Sequence, residues 1–396
     1  MTNLIFDLSN MAFRSMYVVG GYGAKSFTFD SQNEVDQLMR KIAMDIAFIV
    51  RLTNPSRVIF AIDSKSWRKQ IQIEENEGYK GQRKPSAHIN WDNVYASLAE
   101  FSEIMESNGM IVSKIMDAEA DDIIALWASE LQFNQNQHVI IVTGDEDMRQ
   151  LVKFNPYDAP NKKFAFTTVF NPFSKPKVGR ILYVPDYFIN WLNEEEVVDI
   201  WNLSTSVDID KQDFRRIRDT EKVSVEQIDG TMIAMRKVFC GDDGDNVPSI
   251  FTWLTKDKND DDKVNRITPA KFEKIYEMIK LNPTEKYIDH INLMERSEEI
   301  FEAIKEVTKQ TPPFKIKPRL ERQIKLIVLD KYIFPEHIVK EFESNIKKEL
   351  EKPRVNYASI NMQELLSGTR YVRAKSSGTV ASIFKEKDNI KGISLF

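Results

Sequence analysis

The chain has 396 residues, 42% hydrophobic and 29% charged, with a formal net charge of −5 and a single cysteine. That apolar content excludes a disordered chain, and the length exceeds the ~250–300 residues at which one core stops growing, so one large or two unequal domains are expected. Cys240 alone excludes an intramolecular disulfide and a zinc knuckle; with no apolar run near the ~18 residues of a membrane span and no signal-peptide pattern at residues 1–10, a cytoplasmic address without membrane contact is expected.

Taken in chain order, the first apolar run is Leu4-Ile5-Phe6-Asp7, which reads as a buried strand ending in acid. A helical-period stretch follows over 34–52, and then a second strand of the same kind, Val58-Ile59-Phe60-Ala61-Ile62-Asp63. From 64 to 89 the pattern is irregular and basic, with Lys65, Arg68, Lys69, Lys80, Arg83 and Lys84, and Gly78, Gly81 and Pro85 break any period. This segment is expected to arch over whatever lies at the strand ends. Residues 91–107 predict a helix, and Asp117-Ala118-Glu119-Ala120-Asp121-Asp122 opens another, with Asp117 as its N-cap and Ile123, Ile124 and Trp127 beginning its apolar face. Glu119 and Asp122, three apart, share a face of that helix, with Asp121 beside them.

The third strand, Val139-Ile140-Ile141-Val142-Thr143-Gly144-Asp145, carries Asp147 two positions further, where strand alternation would point both aspartates to one side. Residues 151–238 contain the strand-like Phe164-Ala165-Phe166-Thr167-Thr168-Val169-Phe170, but no chemistry is legible there. The turn Gly241-Asp242-Asp243-Gly244-Asp245-Asn246 is dense in acid, and from it onward the chain reads as helical to about residue 352, with 256–263 an exposed loop. No solenoid repeat is present.

Strands alternating with helices indicate a doubly wound, mostly parallel α/β sheet, whose ligand site lies at the carboxyl ends of the strands, where Asp7, Asp63 and Asp145 fall. Carboxylates crowded in this way repel one another unless cations separate them, so hard divalent ions held through oxygen are expected, Mg2+ or Mn2+ in preference to Ca2+ because the twelve-residue calcium loop is absent. Each motif alone reads more readily as a cap or a solvated turn. The net charge, unfavourable for a phosphate ligand, counts these acids without their cations.

In order and local context these blocks resemble the flap endonuclease and 5′-3′ exonuclease family, particularly its phage RNase H-like branch. The likeness is carried by Asp7-Leu8-Ser9-Asn10-Met11-Ala12-Phe13-Arg14, Ile62-Asp63, Tyr79-Lys80-Gly81-Gln82-Arg83, Glu119-Ala120-Asp121-Asp122, Asp145-Glu146-Asp147 and the 241–246 turn, and it spans roughly residues 1–340. It implies a PIN-like sheet flanked by helices with a smaller helix-three-turn-helix DNA-binding domain, divided as 1–238 (nuclease, with arch and insertion), 239–352 (helical) and 353–396 (linker and tail). It further implies two metal positions, one served by Asp7, Asp63, Glu119, Asp121 and Asp122, the other by Asp145, Asp147, Asp242 and Asp245. The expected activity is structure-specific 5′ nuclease action by two-metal hydrolysis on branched or 5′-ended DNA and RNA–DNA hybrids, in replication or repair. It leaves a 5′ phosphate and a 3′ hydroxyl. Lys80, Arg83 and Arg14 would bring positive charge to the scissile phosphate. Two departures stand out: the spacing from Asp147 to Asp242 is long, and Arg266-Ile267-Thr268-Pro269-Ala270-Lys271 stands where the family often carries a Gly-x-Gly hairpin.

Two other readings use the same residues: a non-catalytic branched-DNA-binding or clamp-adaptor protein, and a PIN-like ribonuclease of single-stranded RNA. Complete acidic motifs weigh against the first, and the Gly241 turn with its helical region against the second. His88, His138, His290 and His337 are far apart and read as structural, with no hydrolase triad. Trp67 and Phe13 are candidates to stack on an unpaired base, with core packing as the alternative. The tail over 367–396 is basic, with Arg370, Arg373, Lys375, Lys385, Lys387 and Lys391. It ends Gly392-Ile393-Ser394-Leu395-Phe396, in which Ile393, Leu395 and Phe396 read as a sliding-clamp peptide or, equally, as a frayed end. A monomer that also meets a single-strand DNA-binding protein is expected.

Overall fold

The computed structural model describes residues 2–19, 28–73, 78–83, 88–155, 165–175, 179–185, 223–257, 261–279 and 290–352. The strands follow from runs of branched and aromatic residues that are apolar on both sides. β1 (Thr2–Asp7) and β2 (Arg57–Ala61) are buried along their whole length, and such strands need cover on both faces of the sheet. They are joined by β3 (Ile111–Ser113), β4 (His138–Val142), β5 (Lys153–Asn155), β6 (Ala165–Lys175), β7 (Gly179–Val184) and β8 (Ser224–Gln227). The order across the sheet is β3-β2-β1-β4-β6-β7-β8, with β5 paired to β6. β1 sits between β2 and β4 and is parallel to both, Ile5 lying opposite Ile59 and Ile141. From β3 to β6 the sheet is parallel, while β5, β7 and β8 run the other way. The mostly parallel sheet is therefore as expected. The described part of the stretch read as an insertion extends this sheet on its β4 side.

Alternation along the strands sends side chains to two cores. Leu4, Phe6, Val58, Phe60, Ile140 and Val142 meet α1 (Leu8–Val19), α2 (Gln32–Thr53) and α3 (Trp91–Ser107) through Met11, Leu38, Ile42, Ile46 and Phe101. Ile5, Ile59, Val139 and Ile141 meet α4 (Ala120–Ser129) through Ile123, Ile124 and Trp127. The bounds of α3 are those predicted: Asn90 caps it by accepting a bond from the Asn93 N–H at 3.1 Å.

A third core joins α5 (Gly230–Cys240), α6 (Pro269–Ile279), α7 (His290–Glu295), α8 (Ser297–Thr308) and α9 (Ile316–Ile327). Two expectations fail in this region. Helix begins before the Gly241 turn, at Gly230, because Asp229 accepts from the Met232 N–H at 3.0 Å. Part of the region expected to be helix and loop is a hairpin, β9 (Thr252–Lys256) and β10 (Asp262–Arg266), with Leu254 opposite Val264. Finally α10 (Glu336–Glu351) returns to the sheet, where Ile338, Phe342 and Ile346 join the α4 core and Phe342 meets Trp127 edge-on at 5.4 Å. Among the described residues no helix is long and apolar enough to cross a membrane.

Candidate active site

Parallel strands deliver their ends to one edge, and three loops there carry acid. Asp7 is the last residue of β1, while Asp63 and Asp145 lie just past the ends of β2 and β4. The turns are tied to each other by short polar bonds. Asp7 accepts from the Asn10 N–H at 2.9 Å and from the Thr143 hydroxyl at 3.1 Å. Asn10 in turn accepts from the Gly144 N–H at 3.0 Å, so the start of α1 is latched to the loop after β4. Arg14 lies over that loop, its guanidinium 3.4 Å from the Gly144 carbonyl. Asp63 accepts from the Ala120 N–H at 2.8 Å, which fixes the start of α4 against the end of β2.

The start of α4 differs from the prediction. Asp117 has φ 61°, a left-handed conformation unsuited to opening a helix, and its carboxylate lies 3.6 Å from His337. The cap is Glu119, in a reciprocal capping box with Asp122. Asp122 is fully buried, and its oxygens are taken by Arg68 at 2.7 Å, the Trp67 indole N–H at 3.2 Å and the Glu119 N–H at 3.2 Å. It is thus committed to a buried cation. Trp67, a candidate for base stacking by sequence, is 8% exposed and held in this contact, with Arg68 over its ring at 4.8 Å. The loop after β4 also departs from expectation. The strand ends at Val142, so Asp145 and Asp147 do not share a strand face. Instead the Asp147 N–H donates to Asp145 at 2.9 Å, and a 3₁₀ turn, Asp147–Leu151, follows.

The acidic residues then fall into two groups. In one, Asp7, Asp63, Asp121 and Asp145, no basic side chain of the described residues makes an ion pair. Burial, with Asp63 and Asp145 nearby, pushes the Asp7 carboxyl up to about 7. Burial and Asp145 hold Asp121 well above the usual carboxylate range against the pull of Lys80, which acts on it without forming an ion pair, with Asp7 and Glu119 adding to the rise. In the other group the carboxylates have cations. Lys237 bridges Asp147 and Asp242, standing 2.6 Å from the latter. Lys80 is 2.5 Å from Glu119 and 3.8 Å from Asp245, and Arg83 also pairs with Asp245. The Tyr79 hydroxyl stands between Glu119 at 3.1 Å and Asp245 at 3.0 Å. Burial lifts Asp147 to about 6 against the pull of Lys237. At Asp242 burial is outweighed by Lys237, which holds that carboxyl low. Glu119 is also held low, Lys80 and Arg68 overcoming its burial.

Asp121, Asp147, Asp242 and Asp245, with Tyr79, Lys237 and Arg68, line one narrow cleft. Among the described residues no three His, Cys, Asp or Glu side chains are drawn together as a formed metal site. The donor chemistry nevertheless suits a hard divalent cation: all oxygen, anionic, and short of counter-charge in the Asp7, Asp63, Asp121 and Asp145 group. Lys237 and Arg68 are not legible as site residues in the sequence; nothing local marks a lysine whose partner Asp147 lies 90 residues away. Ile393, Leu395 and Phe396 lie outside the described residues, as does Lys84.

Residues 2–172 match the family described as the 5′-3′ exonuclease, N-terminal resolvase-like domain. Flap endonuclease Xni of Shewanella woodyi is 29% identical over 159 residues, 40% of this chain, and the chain spans 59% of that curated relative's length. The solved structure of T5 5′-exonuclease with bound divalent metal ions (zinc) shares the fold at a TM-score of 0.50 and 14% identity, over 89% of this chain and 100% of that one. Residues 2–172 are thus similar to the N-terminal domain of the 5′-3′ exonucleases, and the mostly parallel, helix-flanked sheet that bears the acidic motifs has the fold seen in the T5 5′-exonuclease.

Proposed function

We propose that the protein is a divalent-metal-dependent nuclease that hydrolyses phosphodiester bonds near the 5′ ends of branched or primer-bearing DNA, RNA primers included. The observation that carries this reading is the group Asp7, Asp63, Asp121 and Asp145, gathered near the carboxyl edge of a parallel sheet without an ion-pair partner among the described residues. A pure binding protein has no use for like charges kept in one region without ion-pair partners. Bound there, Mg2+ or Mn2+ ions, two by family resemblance, would supply a hydroxide near neutral pH and neutralise charge on the phosphate. The chain's own part is to hold those oxygens in place. Asn10 and Thr143 orient Asp7, and the Ala120 N–H orients Asp63. Asp145, with Asp147, Asp242 and Asp245, would serve the second position once Lys237, Lys80 and Arg83 turn to the phosphate, and Glu119 the first. Arg14, beside the Gly144 loop, would meet the same strand.

We further propose a role in replication or repair in the cytoplasm, a monomeric state, contact with a single-strand DNA-binding protein, and a sliding clamp bound through Ile393, Leu395 and Phe396. Labelled flap, nicked-duplex and RNA–DNA hybrid substrates, with and without magnesium, test the nuclease reading. Wild type is expected to cut in magnesium only, and Asp145→Asn to lose on the order of 100-fold or more in rate. An Asp145→Asn protein that cuts as fast as wild type removes the site, and a wild type that cuts nothing removes the activity.

A further inference from the structure

Two aromatic pairs stand on helices that border the carboxylate edge. On α1, Phe13 and Tyr17 meet edge to face at 5.2 Å and are 44% and 50% exposed. On α3, Trp91 and Tyr95 lie one helical turn apart, with ring centroids 5.8 Å apart and planes inclined by 28°. The environment of the second pair sets it apart. Trp91 is partly buried and packs against the same core as Ile62, the residue before Asp63. One ring of the pair is therefore anchored in the body of the protein. Tyr95 is 61% exposed, so its ring rests on Trp91 while much of its surface is open to water. The next residue along that stripe of the helix is Ala99, itself exposed, and a methyl group is too small to cover a ring. Helix α3 leads into the start of β3, which runs parallel to β2, so its far end, the first turn with Trp91 and Tyr95, lies towards the carboxyl edge of the sheet that Asp63 follows.

A tyrosine stacked on a partly buried tryptophan has little rotamer freedom left to lose when a third ring is added, and its open face is indifferent to base identity because every base has a π-face. Resting on the nuclease reading above, we propose that Tyr95, backed by Trp91, is a stacking platform for an unpaired nucleobase of the strand that passes the Asp63 edge. The platform favours substrates with a single-stranded 5′ segment over those that are duplex throughout. It holds that segment in line while the backbone lies against the acidic residues.

Wild type, Tyr95→Leu and Tyr95→Phe are compared on two substrates, a flap carrying 2-aminopurine in its unpaired segment and a nicked duplex without unpaired bases. Binding is read in calcium by 2-aminopurine fluorescence on the flap and by anisotropy on both, and cutting separately in magnesium. Stacking quenches the fluorophore in wild type and Tyr95→Phe. Tyr95→Leu is expected to lose the quench and about 10-fold in flap affinity, with nicked-duplex binding and the thermal midpoint unchanged. Equal quench and affinity in Tyr95→Leu overturn the platform, while wild-type cutting leaves the nuclease reading standing. Equal losses on both substrates also overturn it, since they mark a general defect. A wild type that neither binds nor cuts overturns both.

Discussion

Lys237 stands where a cation is needed most. It lies between Asp147 and Asp242, and all three side chains are mostly shielded from water. Removing the amine leaves two close carboxylates without compensation, so Lys237→Met is expected to cost about 2 kcal/mol in chelator. Millimolar Mn2+ should recover most of that loss. Thermal unfolding with EDTA and with Mn2+ measures both quantities, and a variant as stable as wild type in EDTA would show the bridge to be inconsequential. Tyr79 poses a related question with one proton. Its hydroxyl faces Glu119 and Asp245 at hydrogen-bond distance, and it can donate to only one at a time. Tyr79→Phe, which keeps the ring in its apolar seat, should lower stability by about 1–3 kcal/mol by stripping a donor from buried carboxylates. Denaturant unfolding at neutral pH is the check. Neither role is visible in sequence, because both depend on partners brought together from distant segments.

Among the secondary-structure elements and their connections, the Gly241 turn is the most constrained piece near the cleft. Gly241 has φ 80°, and a Cβ there would meet the Val247 carbonyl oxygen at 2.5 Å and the Ser249 nitrogen at 2.6 Å. The turn also closes a bridge between Asp242 and Val247. Gly241→Ala therefore faces an unfavourable conformation and a backbone clash together, and a loss of more than ~2 kcal/mol is expected, read by chemical denaturation. The elements legible in sequence are those with a strong period and a local stop signal. Helix α3 is legible with both its ends through its apolar spacing, and the structure adds the cap at Asn90. The opening of α4 is not, since an aspartate in the left-handed region looks like any other aspartate in sequence. The hairpin of β9 and β10 is hidden by its charged residues: most of its side chains are exposed, so the alternation that marks a half-buried strand is weak. Of the sheet strands beyond β4, β6 shows in the strand-like run that reaches Phe170, while β5, β7 and β8 are hidden, since a long segment with little chemistry reads as an insertion whether or not it joins the sheet.

Across the fold as one unit, the acidic edge links folding to pH. The Asp7 carboxyl titrates at about 7 and Asp147 at about 6 in the fold, both above the ordinary carboxylate value of 3.8. A raised value means that the folded chain binds more protons than the unfolded chain between roughly pH 4 and 7. Stability contributed by these groups therefore falls as pH rises through that window. Metal-free protein is expected to melt at a lower temperature at pH 8 than at pH 6, and divalent ions should narrow the gap by binding the ionised, folded form. A pH-independent midpoint in EDTA would show that these carboxylates are not strained by one another. Which strands end in acid is legible in the sequence; that some of the acids are paired with lysine and arginine while others are not is hidden there. That division depends on how the 78–83 turn, α4 and α5 meet, and such meetings are tertiary.

Synthesis from the amino end brings α10 late to a sheet whose first strand is residues 2–7. Its Ile338, Phe342 and Ile346 cover Trp127 and its neighbours. Each such side chain contributes about 1.5–3 kcal/mol when shielded from water. A ribosome must therefore make the chain through Ile346 before that side of the sheet is sealed, and until then the nascent polypeptide holds an oily surface open to chaperones.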